Sequence, residues 1–437
     1  MFKRNRLLTL IITLLLLTST LLAQQRPQAD RASILAATDN ILKDVSQMRG
    51  LPAKTPVKSG FKTHSELETI IIRDLDEENS PQELQTQTKL LTRLGLIPKG
   101  YAIREEMIKL LGEQIGGFYE PRTGEFYLVD WLELEEQKPV MAHELMHAIQ
   151  DQNFDLRRFE KFPKDQGDQE LAIHALIEGE ATVVMFNYIF KPQGLDITKI
   201  PIPLSSILDT ANKGDDARFP ILTNTPAAIR ETLEFPYFYG ASFVQEVVRR
   251  SSWQKISDLY TELPESTEQI LHPDKFFERD HPIKIKLAEL SKELGKGWRK
   301  SDINIHGEFG YYLILAQYLD KKRAQAAAAG WGGDQFIFYE QTDGDNNAIT
   351  QFTTWDQEKE AVEFFEAYNE RTLKRYHQPK PVKEEANLKI YNTEDGLILI
   401  ERRNADVLII EGLKESQLPT TRDAIWKQYP IATTSNK

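Results

Sequence analysis

The sequence predicts an α+β fold, mostly helical, built in more than one unit. Three observations carry this expectation. Helical periodicity dominates residues 29–111 and again 139–323. Two short β-type runs flank a turn signal at 121–124, and further β-type runs gather after residue 330. The chain has 437 residues, more than one ordinary compact domain, and is 41% hydrophobic with 10% aromatics, ample for a sizeable core.

Taken in order, the chain opens with three cations, Lys3, Arg4 and Arg6. An apolar run over 7–17 follows, and then small residues up to Ala23. This is the pattern of a secretory signal over residues 1–23. The run is shorter than the ~20 apolar residues of a membrane span, and no later stretch is long enough to be one. The expected product is exported, periplasmic or extracellular, with no stable membrane span once the signal is removed.

Residues 24–112 form an N-terminal helical region. Helices are expected over 29–47, with apolar positions at Ile34, Leu35, Ile41, Leu42 and Val45, and over 65–75, 82–94 and 103–111. Asn79-Ser80-Pro81 signals a helix start, and Pro52, Pro56 and Gly60 mark a connector. The next unit spans 113–300. It begins with a hairpin of strands 114–120 and 125–129. A helix over 139–152 has Pro139 in its first turn, and another over 168–190 stops before Pro192. Residues 191–230 are loop-like with short helices, and helices follow over 239–250, 253–263 and 282–293. The last unit, 301–437, has a helix over 308–323. A small α+β region follows, with strands at 336–341, 349–354, 388–391, 397–402 and 407–411 around a helix at 357–371. No internal repeat is visible.

The formal charge of −12 argues against a nucleic-acid partner, because phosphate contacts need clustered Lys and Arg. There is no cysteine, which removes disulfides, thiolate metal sites and a cysteine nucleophile.

The chemistry concentrates in His143-Glu144-Leu145-Met146-His147. Two histidines four residues apart on a helix lie one turn apart on one face. Both can bind one zinc ion, and Glu144 between them can take a proton from a metal-bound water. The flanks, Pro139 to Ala142 and Ala148-Ile149, are apolar, as in a buried helix. A third ligand is expected on the next helix, where Glu178-Gly179-Glu180 interrupts an apolar run. Buried acids are costly unless paired or metal-bound, so one of the two is expected to face solvent. Gly179 costs ~1 kcal/mol relative to Ala in mid-helix and implies a packing or functional reason. His174, one turn before Glu178, is the competing third ligand.

These residues resemble the gluzincin metallopeptidases. Members like aminopeptidase N carry His-Glu-x-x-His and, later, Glu-Gly-x-Ala-Ser/Thr. Glu178-Gly179-Glu180-Ala181-Thr182 matches the second motif, and the resemblance implies Glu178 as third ligand. Glu180, at a variable position, would then support the ligands or face substrate. The gap from His147 to Glu178 is longer than in those enzymes, as an insertion near 155–167 would make it. Tyr237-Phe238-Tyr239-Gly240-Ala241 is similar to their Tyr-x-Lys-Gly-Ala, with Tyr239 in place of Lys. Tyr237 is thereby implied as the hydrogen-bond donor to the reaction oxyanion. No segment resembles their Gly-x-Met-Glu-Asn grip on a substrate N-terminus. The chain as a whole is similar to a bacterial family classed with such metallopeptidases, its hallmarks being Ser266 to Pro273 and Gly330 to Asp334.

The resemblance implies a zincin-like catalytic core in residues 113–300. The expected function is zinc-dependent hydrolysis of a peptide or protein substrate. The alternative is a catalytically inactive binding protein of the cell envelope on the same fold, and a zinc hydrolase of another bond is the third class. His272, beside Pro273 in a polar segment, has two readings, a group lining the cleft or binding the transition state and, more ordinarily, part of a capped turn feeding the next helix.

Overall fold

Capping chemistry starts two of the first helices. Thr63 and Ser80 each accept a bond from the backbone three residues on, where Glu66 and Glu83 reach back to the cap amide. The computed structural model describes residues 31–131, 134–211 and 219–429, so the expected signal at 1–23 lies outside the described residues.

The N-terminal part comprises α1 (Arg31–Arg49), β1 (Lys58–Lys62), α2 (His64–Glu78), α3 (Pro81–Leu94) and α4 (Ile103–Gln114). Strands β2 (Gly117–Glu120) and β3 (Glu125–Val129) form the expected hairpin, and β1 adds to it parallel to β3, giving the order β1-β3-β2. β1 lies where the sequence signals a connector. Lys58 to Lys62 are exposed or half-buried with no alternation, so the strand is specified by its pairing with β3 rather than by its own pattern.

Helices α5 (Leu134–Phe154) and α6 (Gly167–Phe190) follow, then α7 (Leu204–Ala211), α8 (Pro220–Asn224) and α9 (Ala227–Arg250). Pro139 lies inside α5 rather than in its first turn. Helix α9 begins at Ala227, well before residue 239, so Tyr237 sits on a helix. The short helices α10 (Trp253–Leu259), α11 (Thr267–Leu271), α12 (Pro273–Glu278) and α13 (Ser291–Leu294) close this part.

The helix expected over 282–293 does not form, apart from α13. Residues 281–290 run without regular structure, and distant groups take the amides a helix would use. Ile283 N donates to the Gly332 carbonyl, and the amides of Lys286, Leu287, Ala288 and Leu290 donate to the side chains of Tyr429, Gln335, Gln428 and Tyr339. Tertiary bonding overrides local propensity here.

The C-terminal part contains β4 (Trp298–Asn304), α14 (Gly307–Ala316), α15 (Lys321–Ala328), β5 (Trp331–Gln341), β6 (Asn347–Trp355) and α16 (Glu358–Arg375). It ends with β7 (Lys380–Glu385), β8 (Leu388–Thr393), β9 (Gly396–Arg403), β10 (Asp406–Leu413) and α17 (Leu418–Gln428). All seven strands pair antiparallel in the order β4-β5-β6-β10-β9-β8-β7. The single helix expected over 308–323 is two, because Asp320 caps a fresh start at α15. The fold is thus α+β and helix-rich.

One apolar cluster runs from Leu67 to Ile409 and takes in residues of α2, α6, α9, α14, β5, α16 and β9. Polar ties reinforce it. Arg371, paired with Glu411, donates to the Leu94 carbonyl, and Arg375 donates to the carbonyls of Thr92 and Arg93. The open carbonyls at the end of α3 are thus capped from α16. Among the described residues, no helix is long and apolar enough to cross a membrane.

Candidate metal centre

Helix α5 carries His143, Glu144 and His147 in a stretch with no exposed residue, and α6 brings Glu178 against them. His143 Nε2 lies 2.9 Å from His147 Nε2 and 3.1 Å from Glu178 Oε2, with His147 Nε2 3.5 Å from the same oxygen. Three ligands held tetrahedrally at zinc distances of ~2.0–2.1 Å stand roughly 3.3 Å apart. The donor set therefore fits one metal ion, and it is the one group of this kind among the described residues.

Burial sets the electrostatics. It pushes His143 down to about 4 and His147 down to about 3, so both imidazoles are neutral at pH 7 with lone pairs available. It also raises Glu178, against the opposing pull of hydrogen bonds from His143 and Tyr237. His174 is buried one turn earlier on α6, pushed down to about 4, and stands outside the cluster. Glu178, and not His174, completes the three-residue group that could hold a metal ion.

Glu144 is wholly buried, and its Oε2 accepts the Tyr119 amide of β2 at 2.8 Å. The Tyr119 hydroxyl donates to Asp151, a turn beyond His147 on α5, at 2.9 Å. One residue thus fastens the sheet edge to the metal helix at two points. The Tyr237 ring lies 6.0 Å from that of His143, and its hydroxyl bonds to Glu178.

Two glycines set this meeting of helices. A Cβ at Gly179 would stand 2.2 Å from the Gly240 carbonyl carbon, and one at Gly240 would stand 2.1 Å from the Ala175 oxygen. Backbone therefore crosses on backbone between α6 and α9. Only glycine permits this approach, and it carries Tyr237 onto the Glu178 cluster. The reason implied for Gly179 is thus one of packing.

The acids Glu178 and Glu180 are both buried, against the expectation that one faces solvent. Glu180 is compensated away from the metal cluster by Arg49, Tyr260 and Gln150. Sequence reasoning missed Gln150, Arg49, Tyr260 and Tyr119. Gln150 carried a signal, a polar residue one turn after His147 on the same apolar helix. Arg49, far away on α1, carried none.

The hallmark segments meet elsewhere. His272 Nε2 pairs with Glu308 Oε1 at 2.8 Å and does not join the metal cluster. Thr267 donates through both its amide and its hydroxyl to Asp168 at the start of α6. Asp334 accepts the His306 and Gly307 amides and the Trp331 indole. A Cβ at Gly307 would overlap Asp168 Oδ1 at 1.7 Å. These residues lock the metal half to the C-terminal sheet. Beside them lies a cavity of about 700 Å³ lined by Asp168, Ile283, Ile305, Trp331 and Asp334, with no residue of the metal cluster in its wall.

A family model described as a domain of unknown function (DUF8575) matches residues 296–422. The match spans β4 to the start of α17 and excludes the metal cluster. No curated protein and no solved structure matches the chain.

Proposed function

We propose that His143, His147 and Glu178 hold a zinc ion, and that the chain is an exported metallopeptidase hydrolysing peptide bonds with Glu144 as general base. The observation that carries this reading is the convergence of three neutral or acidic donors at 2.9–3.5 Å inside an otherwise apolar helix pair. A bound zinc ion would polarise the scissile carbonyl and acidify a coordinated water.

The chain's own residues supply the rest. Glu144, oriented by the Tyr119 amide, takes the water's proton and delivers it to the leaving amine. Tyr237, whose hydroxyl bonds Glu178 and whose ring lies beside His143, would donate to the oxyanion. The exported character rests on the basic, then apolar, then small-residue order of residues 1–23. Support for the second reading, a zincin-fold binding protein of the cell envelope without turnover, comes from the separate 700 Å³ cavity.

The deciding experiment is metal analysis of the purified protein followed by a peptide-library cleavage assay with and without chelator. One equivalent of zinc with chelator-sensitive cleavage is expected. Bound zinc without cleavage favours the binding protein. Absence of any stoichiometric metal overturns both readings.

A further inference from the structure

His147 is held by a chain of buried groups that begins on a different part of the sequence. Its Nδ1 lies 2.6 Å from Gln150 Oε1. Gln150 Nε2 in turn donates to the Ile177 carbonyl at 2.9 Å and to Glu180 Oε2 at 2.7 Å. The other oxygen of Glu180 accepts from Arg49 Nε, and Tyr260 adds a third donor through its hydroxyl. Arg49 is itself buried at the end of α1, 131 residues from Glu180. Its Nη2 donates to Ser257 at 3.0 Å, and its guanidinium lies 4.9 Å from the Trp253 ring centroid.

The donor and acceptor roles close in one direction only. Both neighbours of Gln150 Nε2, a carbonyl and a carboxylate, are acceptors, so the amide must present its nitrogen to them. Its oxygen must then face His147 Nδ1, and that nitrogen must carry the hydrogen. The neutral ring has one N–H, which leaves Nε2 with a free lone pair pointing at His143 and Glu178. His143 has no such support, because its Nδ1 is buried without a hydrogen-bond partner.

We propose that Arg49 and Glu180 are positioning residues of the metal centre: the buried ion pair locks Gln150 one way round, and Gln150 locks His147 in its metal-binding tautomer. Helix α1 is on this view a working part of the site. The inference rests on the metal reading above. Supporting partners of this kind typically contribute 10–100-fold in metal affinity.

Removing Arg49 alone would strand a buried carboxylate, so the test removes both charges. In Arg49→Met/Glu180→Gln no lone charge remains. The amide at 180 can present oxygen or nitrogen to Gln150, which then keeps the Ile177 carbonyl as its one fixed acceptor. Zinc titration of the metal-free proteins is expected to show affinity weakened about 10–100-fold in the double variant. Affinity within about twofold of the unchanged protein overturns the inference while leaving the metal reading intact. No zinc binding by the unchanged protein overturns the metal reading and this inference with it. A second measurement needs no variant: nitrogen NMR of the metal-free, unchanged protein is expected to show His147 protonated at Nδ1. Protonation at Nε2 overturns the inference whether or not the variant folds.

Discussion

Replacing Gly179 with Ala sets helix propensity against packing, and the structure decides the sign. Propensity alone favours the variant by ~1 kcal/mol, since Gly is that much worse than Ala inside a helix. Packing opposes it. The new Cβ would stand 2.2 Å from the Gly240 carbonyl carbon, 2.3 Å from its oxygen and 2.7 Å from the Ala241 nitrogen. Comfortable contact between heavy atoms needs ~3.5–4.0 Å. The obstruction is backbone on both sides, so no side chain can swing away and α6 and α9 must part by more than about 1 Å. Overpacking of this kind costs ~1–3 kcal/mol and sometimes more. A net loss of one to two kcal/mol is therefore expected after the propensity gain, on the order of the values above. Urea unfolding followed by circular dichroism measures it. Gly112 in α4 is the control, because a Cβ there meets nothing within 4 Å. Gly112→Ala should stabilise by up to ~1 kcal/mol. A Gly179→Ala protein as stable as the unchanged chain would refute the backbone crossing, and with it the account of how Tyr237 reaches Glu178.

Further expectations follow from the site and its surroundings. Glu144→Gln should abolish peptide cleavage and leave stoichiometric zinc bound; retained turnover would sink the general-base assignment. Tyr237→Phe should lower kcat/KM by roughly 10²–10³-fold if the hydroxyl holds the oxyanion, and unchanged kinetics would confine it to bonding Glu178. Zinc at a hundred times its Kd should stabilise the fold by ~2.7 kcal/mol in calorimetry, an increment that Glu178→Gln should reduce. Burial pushes Asp168 and Asp334 up to about 7 from the usual 3.8. The folded chain therefore keeps protons that the unfolded chain releases between those values. Stability from these groups is full below about pH 4 and is lost as the pH rises towards 7. Asp334→Asn should flatten that fall in chemical denaturation run from pH 4 to 7, and an unaltered slope would contradict the assignment.

Local signals located most of what depends on local chemistry. The capped helix starts at Ser80, the hairpin around 121–124, the metal helix at His143 and the strands β8 to β10 are all legible in the sequence, because each is specified by its own pattern. What escaped is specified by something distant. β1 exists through β3 and β7 through β8, and residues 281–290 have no regular structure, their amides being taken by side chains from β5 and the C-terminal residues. The same division runs through the site. Glu178 could be named from its motif, whereas Arg49 and Tyr260 could not, since their role is visible only once Glu180 is seen to be buried. The expectation that Glu180 faces solvent failed because the cost of burying an acid is conditional. A guanidinium supplied from α1 removes that cost, and sequence spacing gives no notice of it.

The region matched by the family model and the region bearing the metal cluster are joined at the start of α6. Asp168 opens that helix, is held by Thr267, and is pressed by Gly307 at the head of α14. Asp334 on β5 accepts the amides of His306 and Gly307. Helix α6 runs unbroken from Asp168 to Glu178, so its N-terminal end is set by the C-terminal sheet and its middle carries the carboxylate of the candidate metal cluster. Arg49, from near the other end of the chain, acts on Glu180, two residues beyond Glu178. The register of α6 against α5 is thus determined from both ends of the sequence at once. The Glu178 carboxylate meets two imidazoles at 3.1 and 3.5 Å, and a helix clamped at both sides, crossing α9 backbone to backbone, is the means by which this chain holds that geometry.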